Sequence, residues 1–331
     1  MAYAEQIANG IFRISVTLPG SPLGTLNSFF IEGIDEDYLV DTGFNLPQCE
    51  EDLTAGLKYV GADRSRLSII NTHLHTDHSG QNHKFLAEGH RIYQSEEEIK
   101  YISFMRTEGK ALRGARNKLE GASEEFLAEL SKTNPGTIYR SKDMFDCFSP
   151  IKKDSIIETK YHDIQWIVVP GHTAGNSMLW IEKEGIMLTG DHILFDITPN
   201  ITCWPGCTDI LGEYIESLRY SKSFPVKYAY PGHRKPDNYH KRIDALLKHH
   251  DERLNEVFGI IANSEKPLNA FEITKQMKWH VHLNPDGSMP AAQLQFAAGE
   301  CLAHIDHLIC EGKIKRNEPP NTATFRTYSL R

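Results

Sequence analysis

Short apolar runs, punctuated by Gly, Pro and Asp, dominate the first third of the chain. GIFRISV (10–16), SFFIEG (28–33) and DYLVDTG (37–43) are rich in β-branched and aromatic residues and read as strands. RLSIINT (66–72) is another such run, SGQNHKFLAEG (79–89) reads as a helix, and HRIYQS (90–95) as the next strand. From residue 96 to 133 the pattern changes. Ile99, Ile102 and Met105, and later Phe126, Leu127 and Leu130, recur at helical spacing among Glu, Lys and Ala, with a break near Gly121 and Ser123 as the N-cap of the second helical stretch. Strands return at IQWIVVPGH (164–172), at SMLWIEKEGIMLTGDH (177–192), which reads as two strands joined around Glu184-Gly185, and at KYAYPGH (227–233). Beyond 240, three helical stretches (240–263, 269–279 and 291–313) precede two short runs, KIKRNE and ATFRTYSL, that read as a hairpin.

Strands segregated from helices predict an α+β class. We expect residues 1–239 to form one domain, with a helical insertion at about 96–133 that is either a decoration or a lid. Residues 240–331 form a second domain, whose helix-helix-helix-hairpin order is that of a winged-helix module. No internal repeat or low-complexity tract interrupts this plan.

Composition narrows the function classes. The chain has 331 residues, 40% of them hydrophobic and 24% charged, which is ordinary globular composition. A net charge of −8 argues against non-specific binding to nucleic acid or an anionic membrane. The opening MAYAEQIANGIFRIS lacks the basic and apolar regions of a signal peptide, and no run reaches the ~18 apolar residues of a membrane span. Six scattered cysteines read as reduced thiols of a cytoplasmic protein, and the C-x3-C of Cys203 and Cys207 has no second pair to complete a zinc site.

The chemistry concentrates in NTHLHTDHSG (71–80), where His73, His75, Asp77 and His78 fall within six positions. Three further strand ends carry the same signature, each after an apolar run and a Gly: His172, Asp191 and His233. Five imidazoles and two carboxylates suit zinc, iron or manganese. Two such ions about 3.5–4 Å apart, sharing one carboxylate, would make hydroxide available at neutral pH. His192, beside Asp191, reads as structural, whereas His83, His90, His249, His250, His280, His282, His304 and His307 read as solvated. The chain carries no G-x-G-x-x-G after a strand, no phosphate-binding G-x-x-x-x-G-K-[ST] and no G-x-S-x-G elbow.

HLHTDH resembles the H-x-H-x-D-H motif of the metallo-β-lactamase superfamily of binuclear hydrolases. LVDTG (39–43) and the later GH, GD and GH stations follow in that family's order, spanning residues 38–233. The resemblance implies an αββα sandwich in which His73, His75 and His172 hold one divalent metal ion. Asp77, His78 and His233 would hold the second and Asp191 would bridge, with zinc the first choice and iron or manganese compatible. It further implies that Asp77 steers the nucleophile or protonates a leaving group, and that Asp41 orients a ligand imidazole.

Four activities fit such a cage: a thioesterase of the glyoxalase II kind, a lactonase, a phosphodiesterase or endoribonuclease of the lactamase-beta-like winged-helix branch, and a nucleic-acid-binding module without turnover. The segment after the PGH of 231–233 is most similar to the lactamase-beta-like branch. Residues 240–331 nevertheless hold 12 Lys+Arg against 11 Asp+Glu, a net of about +1, which is little for a phosphate backbone. The expectation is therefore hydrolysis of a small activated ester, a thioester or lactone, by a hydroxide bridging two metal ions. Phe195 and Trp204 in FDITPNITCWPG are candidate pocket residues. Nothing in the sequence decides whether the chain forms a homo-oligomer.

Overall fold

Phe29 and Ile31 point to one face of their strand and Phe30 to the other, and all three are buried. A strand without a solvent face needs a layer on each side. The computed structural model, which describes residues 4–279, 289–320 and 324–331, supplies both layers.

The first sheet holds seven strands in chain order: β1 (Ala4–Ala8), β2 (Ile11–Thr17), β3 (Thr25–Ile31), β4 (Asp37–Val40), β5 (Leu67–Ile70), β6 (Ile92–Ser95) and β7 (Phe148–Ile151). β1 to β4 pair antiparallel and β4 to β7 pair parallel, with Val40 opposite Ile70. The second sheet is built from β8 (Ile156–Glu158), β9 (Asp163–Val168), β10 (Ser177–Ile181), β11 (Ile186–Gly190) and β12 (Tyr228–Pro231), in the order β12-β11-β10-β9-β8. β11 and β12 pair parallel and the other neighbours antiparallel. Between the sheets, Ile11, Phe29, Ile31, Val40 and Ile70 meet Trp166, Val168, Leu179, Ile181 and Leu188. On the outer face of the first sheet, Ile14, Phe30, Leu39 and Ile69 are covered by Leu53 and Leu57 of the helix Pro47–Tyr59. The expected α+β sandwich is present.

The chain divides into two compact units. The first comprises Met1–Ile102, Pro135–Pro199 and Arg219–Ile243, and the second Ser103–Asn134, Asn200–Leu218 and Asp244–Arg331. Helices Tyr239–Ala262, Ala270–Gln276 and Ala291–Cys310 precede the antiparallel pair β13 (Ile314–Asn317) and β14 (Thr327–Leu330), the order read from the sequence. Within the second unit a buried polar network joins the 103–134 segment to the C-terminal part. Glu120, fully buried, accepts from the Tyr328 hydroxyl at 2.7 Å and from Arg326 at 3.0 Å. Arg116 and Arg316 both pair with Asp306, at 2.7 and 2.8 Å. Ser123 caps the helix Glu124–Thr133 as expected, its oxygen accepting from the Phe126 amide.

Two sequence expectations need correction. Residues 79–89 are not one helix: single turns, Thr76–Ser79 and Asn82–Phe85, replace it. The Asn82 side chain is drawn inward to Thr42 and Asn71, at 3.0 and 2.6 Å, and pins a loop instead. Nor are His250 and His304 solvated. Both are fully buried, stacked at 5.3 Å between ring centres, and joined from Nδ1 of His250 to Nε2 of His304 at 3.2 Å. His250 continues the apolar stripe of Ile243, Leu246, Leu254 and Val257 one turn at a time, and His304 sits four residues from both Glu300 and Leu308, within the buried run 301–306 of its helix. His83, His90, His249 and His307 are half-buried, while His280 and His282 lie outside the described residues.

Candidate metal centre

The first unit brings the sequence-predicted residues together where its strands end. Asp41 follows β4, His73 and His75 follow β5, His172 follows β9, Asp191 follows β11 and His233 follows β12, while Asp77 and His78 occupy the turn Thr76–Ser79. Backbone hydrogen bonds fix these ends to one another: Thr42 N–H donates to His78 O, Ser177 N–H to Thr72 O, Asn27 N–H to Gly232 O and Gly232 N–H to Gly190 O, at 2.6–2.9 Å. At position 232 only glycine fits, because a Cβ there would stand 2.4 Å from Asp191 Oδ1 and 2.9 Å from His78 Cε1.

Outer hydrogen bonds decide which imidazole nitrogens face inward. His78 Nδ1 donates to Asp41 Oδ2 at 2.7 Å and His233 Nδ1 to the Thr25 carbonyl at 2.8 Å. Their Nε2 atoms therefore face each other, 3.1 Å apart, so neutral rings would oppose two lone pairs and protonated rings two N–H groups, a conflict that a cation held between neutral rings would resolve. Around His75 the same conflict recurs: its Nδ1 lies 3.0 Å from Nε2 of His73 and 3.0 Å from Nε2 of His172. Asp191 stands between the two groups, 3.4 Å from Nε2 of both His78 and His233 and 3.7 Å from that of His172. Its buried Oδ1 has no hydrogen-bond partner.

One proton cannot satisfy such convergence, whereas a divalent cation can. Bonds of about 2.0–2.1 Å at tetrahedral angles place ligand atoms about 3.3 Å apart, close to the spacings seen. The donor set of imidazole nitrogen and carboxylate oxygen fits zinc, iron or manganese. The groups with metal-holding geometry are His73, His75 and His172; His73, His78 and Asp191; and Asp77, His78 and His233. None found among the described residues includes Cys203 or Cys207.

Electrostatics divides the cluster. Burial, aided by the neighbouring imidazoles, holds His73 well below its ordinary value and His75 down to about 3. Burial acts the same way on His78 and His233, but carboxylates outweigh it: Asp191 and Asp41 raise His78, and Asp191 with Asp77 carries His233 up to about 10. Burial pushes the carboxyls up, yet the imidazoles prevail, and Asp77 falls to about 2. A metal ion held here would have to displace protons from His78 and His233.

Asp41 supports both groups. Besides His78 it accepts from the Thr72 amide at 2.9 Å and the Thr72 hydroxyl at 2.8 Å, and that hydroxyl lies 3.0 Å from His73 Nδ1. With its proton directed to Asp41, the Thr72 oxygen accepts from His73 and leaves Nε2 free to face inward. Asp41 adopts φ 60°, an uncommon conformation for a non-glycine residue, held by Asp41 N–H to Ile70 O and Ser28 Oγ to Asp41 O. Asp41→Asn is expected to weaken metal affinity about 10–100-fold in a chelator competition. An unchanged affinity would show that the carboxylate does not orient these rings.

Asp77, like His75, is a ligand candidate with partial exposure; its side chain is 13% accessible and its Oδ2 lies 3.3 Å from His233 Nε2. Phe195, half-buried, lies on the loop after Asp191 in the first unit. Trp204 is buried in the second unit, with the Arg113 guanidinium 5.0 Å from its ring centre. His192 is structural in its contacts, Nε2 bonding to Ser221 at 2.9 Å. Sequence reading missed Thr72 and the buried Glu98, whose oxygens meet the amides of Leu74 and Gly175.

Residues 22–233 match the Metallo-beta-lactamase superfamily, and residues 260–327 match the Metallo-beta-lactamase-like, C-terminal domain. The chain is 27% identical over 337 positions to "Probable metallo-hydrolase YqjP" of Bacillus subtilis (strain 168), covering 96% of this chain and 98% of that protein. It is 23% identical to "Beta-lactamase-like protein 2 homolog" of Caenorhabditis elegans, over 84% of this chain and 81% of that protein. A metallo-beta-lactamase family protein from Thermus thermophilus shares the fold with a TM-score of 0.79 at 24% identity, covering 98% of this chain and 100% of that one. A Beta-lactamase domain protein from Burkholderia ambifaria does so with a TM-score of 0.78 at 22% identity, covering 100% and 96%. Among the described residues no helix is long and apolar enough to cross a membrane. With the first match covering more than half of its length, this chain belongs to the metallo-beta-lactamase superfamily.

Proposed function

We propose that the chain is a cytoplasmic hydrolase of small activated esters, thioesters or lactones, working with two divalent metal ions, zinc first. The observation that carries this reading is the convergence of five imidazoles and Asp191 on two adjacent points, where ring nitrogens face one another at 3.0–3.1 Å. Cations bound there would polarise a carbonyl and make a nucleophile from water at neutral pH. The protein's own residues do the rest. His73, His75 and His172 would hold one ion, Asp77, His78 and His233 the other, and Asp191 would lie between. Asp41 and Thr72 keep the ring tautomers fixed. Asp77, partly exposed beside His233, is placed to accept a proton from the attacking water or to pass one to the leaving group.

A small neutral or weakly charged ester fits the chain better than a polyphosphate backbone, since net charge is −8 overall and about +1 in residues 240–331. On this reading the C-terminal helices and hairpin, winged-helix-like in order, serve packing rather than nucleic-acid recognition. Six cysteines scattered along a long chain, rather than densely spaced, are in keeping with a reducing compartment. Metal-loaded protein is expected to turn over thioesters or lactones and to leave phosphodiesters intact. Phosphodiester cleavage without ester turnover would make the nuclease reading the correct one, and tight, salt-sensitive DNA binding without any turnover would favour a binding module.

A further inference from the structure

Ser95-Glu96-Glu97-Glu98 opens the helix Glu96–Phe104 with the S-x-x-E pattern of a capping box. In that arrangement the serine oxygen accepts from the amide of the third helical residue, and the glutamate turns back to the serine amide. Here the serine half is kept: Ser95 Oγ accepts from Glu98 N–H at 3.2 Å. The glutamate half is diverted. Glu98 Oε1 accepts from the Leu74 amide at 2.7 Å, and Oε2 accepts from the Gly175 amide, also at 2.7 Å.

The two donors belong to different loops. Leu74 lies between His73 and His75, and Gly175 lies three residues after His172. One carboxylate thus joins the backbones of the two loops that carry all three members of the three-histidine group. Close packing reinforces the joint. Ser95 Oγ donates to Gly175 O at 2.6 Å, and a Cβ at Gly175 would stand 2.3 Å from Glu98 N and 2.4 Å from Ser95 Oγ. Glu98 is fully buried, and burial pushes its carboxyl up to about 7. A carboxylate in such a place is costly unless its oxygens accept good hydrogen bonds. The bonds it accepts are the ones that set the loop spacing.

We propose that Glu98 is a positioning residue for the ion held by His73, His75 and His172, fixing the separation of their two loops and thereby the affinity of that ion. This rests on the metal-binding reading above. Neither His78 nor His233 is reached by the clamp, so the second ion should not sense its loss directly.

Glu98→Gln tests the idea. The amide has nearly the same shape, but one of its ends becomes an NH2 facing a backbone N–H, so one loop loses its acceptor. Stripped wild-type and variant protein would be titrated with Co²⁺ and followed by visible absorption, with thermal melting of both metal-free proteins alongside. The expected result is two binding steps in the wild type, one of them weakened about 10–100-fold in the variant and the other within a few-fold of wild type. A merely structural role predicts a lower melting temperature with both steps weakened together, and that outcome, like two unchanged steps, overturns the proposal. Absence of binding by the wild type would instead defeat the metal reading itself. Should Glu98→Gln not fold, amide hydrogen exchange in the unaltered metal-free protein decides: the clamp requires slow exchange at Leu74 and Gly175, and exchange at the rate of an open loop overturns it.

Discussion

Replacing Asp191 by asparagine is expected to abolish turnover and to release at least one metal ion. The carboxylate lies within 3.7 Å of Nε2 of His78, His172 and His233, so it touches both groups of the cage. It is 5% exposed, and its negative charge would offset the two cations proposed for the cage. Asparagine preserves the volume beside Gly232 but removes that charge. The loss should exceed the 10–100-fold effect typical of a residue that only supports a ligand. Metal stoichiometry and kcat measured on the same sample check it. Full metal content with kcat within tenfold of wild type would remove Asp191 from the mechanism.

Acid should destabilise the second unit through its paired histidines. His304 Nδ1 donates to the Glu300 carbonyl at 2.7 Å, leaving Nε2 to accept from His250, so both rings are neutral in the fold. Burial holds His304 down to about 3 and His250 well below its ordinary value, with His249, Arg253 and His307 adding to the effect. As pH falls below about 6.5 the unfolded chain takes up protons that the folded chain does not, so stability present above that pH is lost as acid is added. The slope approaches about 1.4 kcal/mol per pH unit for each ring below the unfolded pKa, or about 3 kcal/mol for the pair between pH 6.5 and 5. That is a large share of the 5–15 kcal/mol typical of a folded domain. Urea unfolding at pH 7 and pH 5 should show a smaller pH response in a His250→Leu/His304→Leu chain than in wild type. Equal responses would mean the two rings already titrate in the fold.

The residues that folding gathers into the candidate site were legible because each combines an apolar strand, a tight turn and a side chain able to bind metal within a few residues. Asp41 was legible for the same reason, and the structure adds the route through Thr72 to His73. The burial of His250 was written in its spacing from Leu246 and Leu254, but a polar residue on an apolar stripe was read by its chemistry and not by its position. Glu98 had no comparable signal. Its S-x-x-E setting describes its own helix, and nothing local reveals that its oxygens reach 24 residues back and 77 residues forward. The strands β1, β7 and β8 escaped notice for a different reason: they are short, and their partly exposed residues break the apolar pattern. Substrate choice depends on side chains brought together by folding around the rim, which a strand-by-strand reading does not assemble.

The proposed chemistry requires that this cage hold metal. Native mass spectrometry of the purified chain, before and after a strong chelator, measures that directly. Two divalent ions per chain, removed by the chelator and restored on adding zinc, are predicted. A chain that carries no ion, takes up none from zinc solution and hydrolyses esters regardless would contradict it.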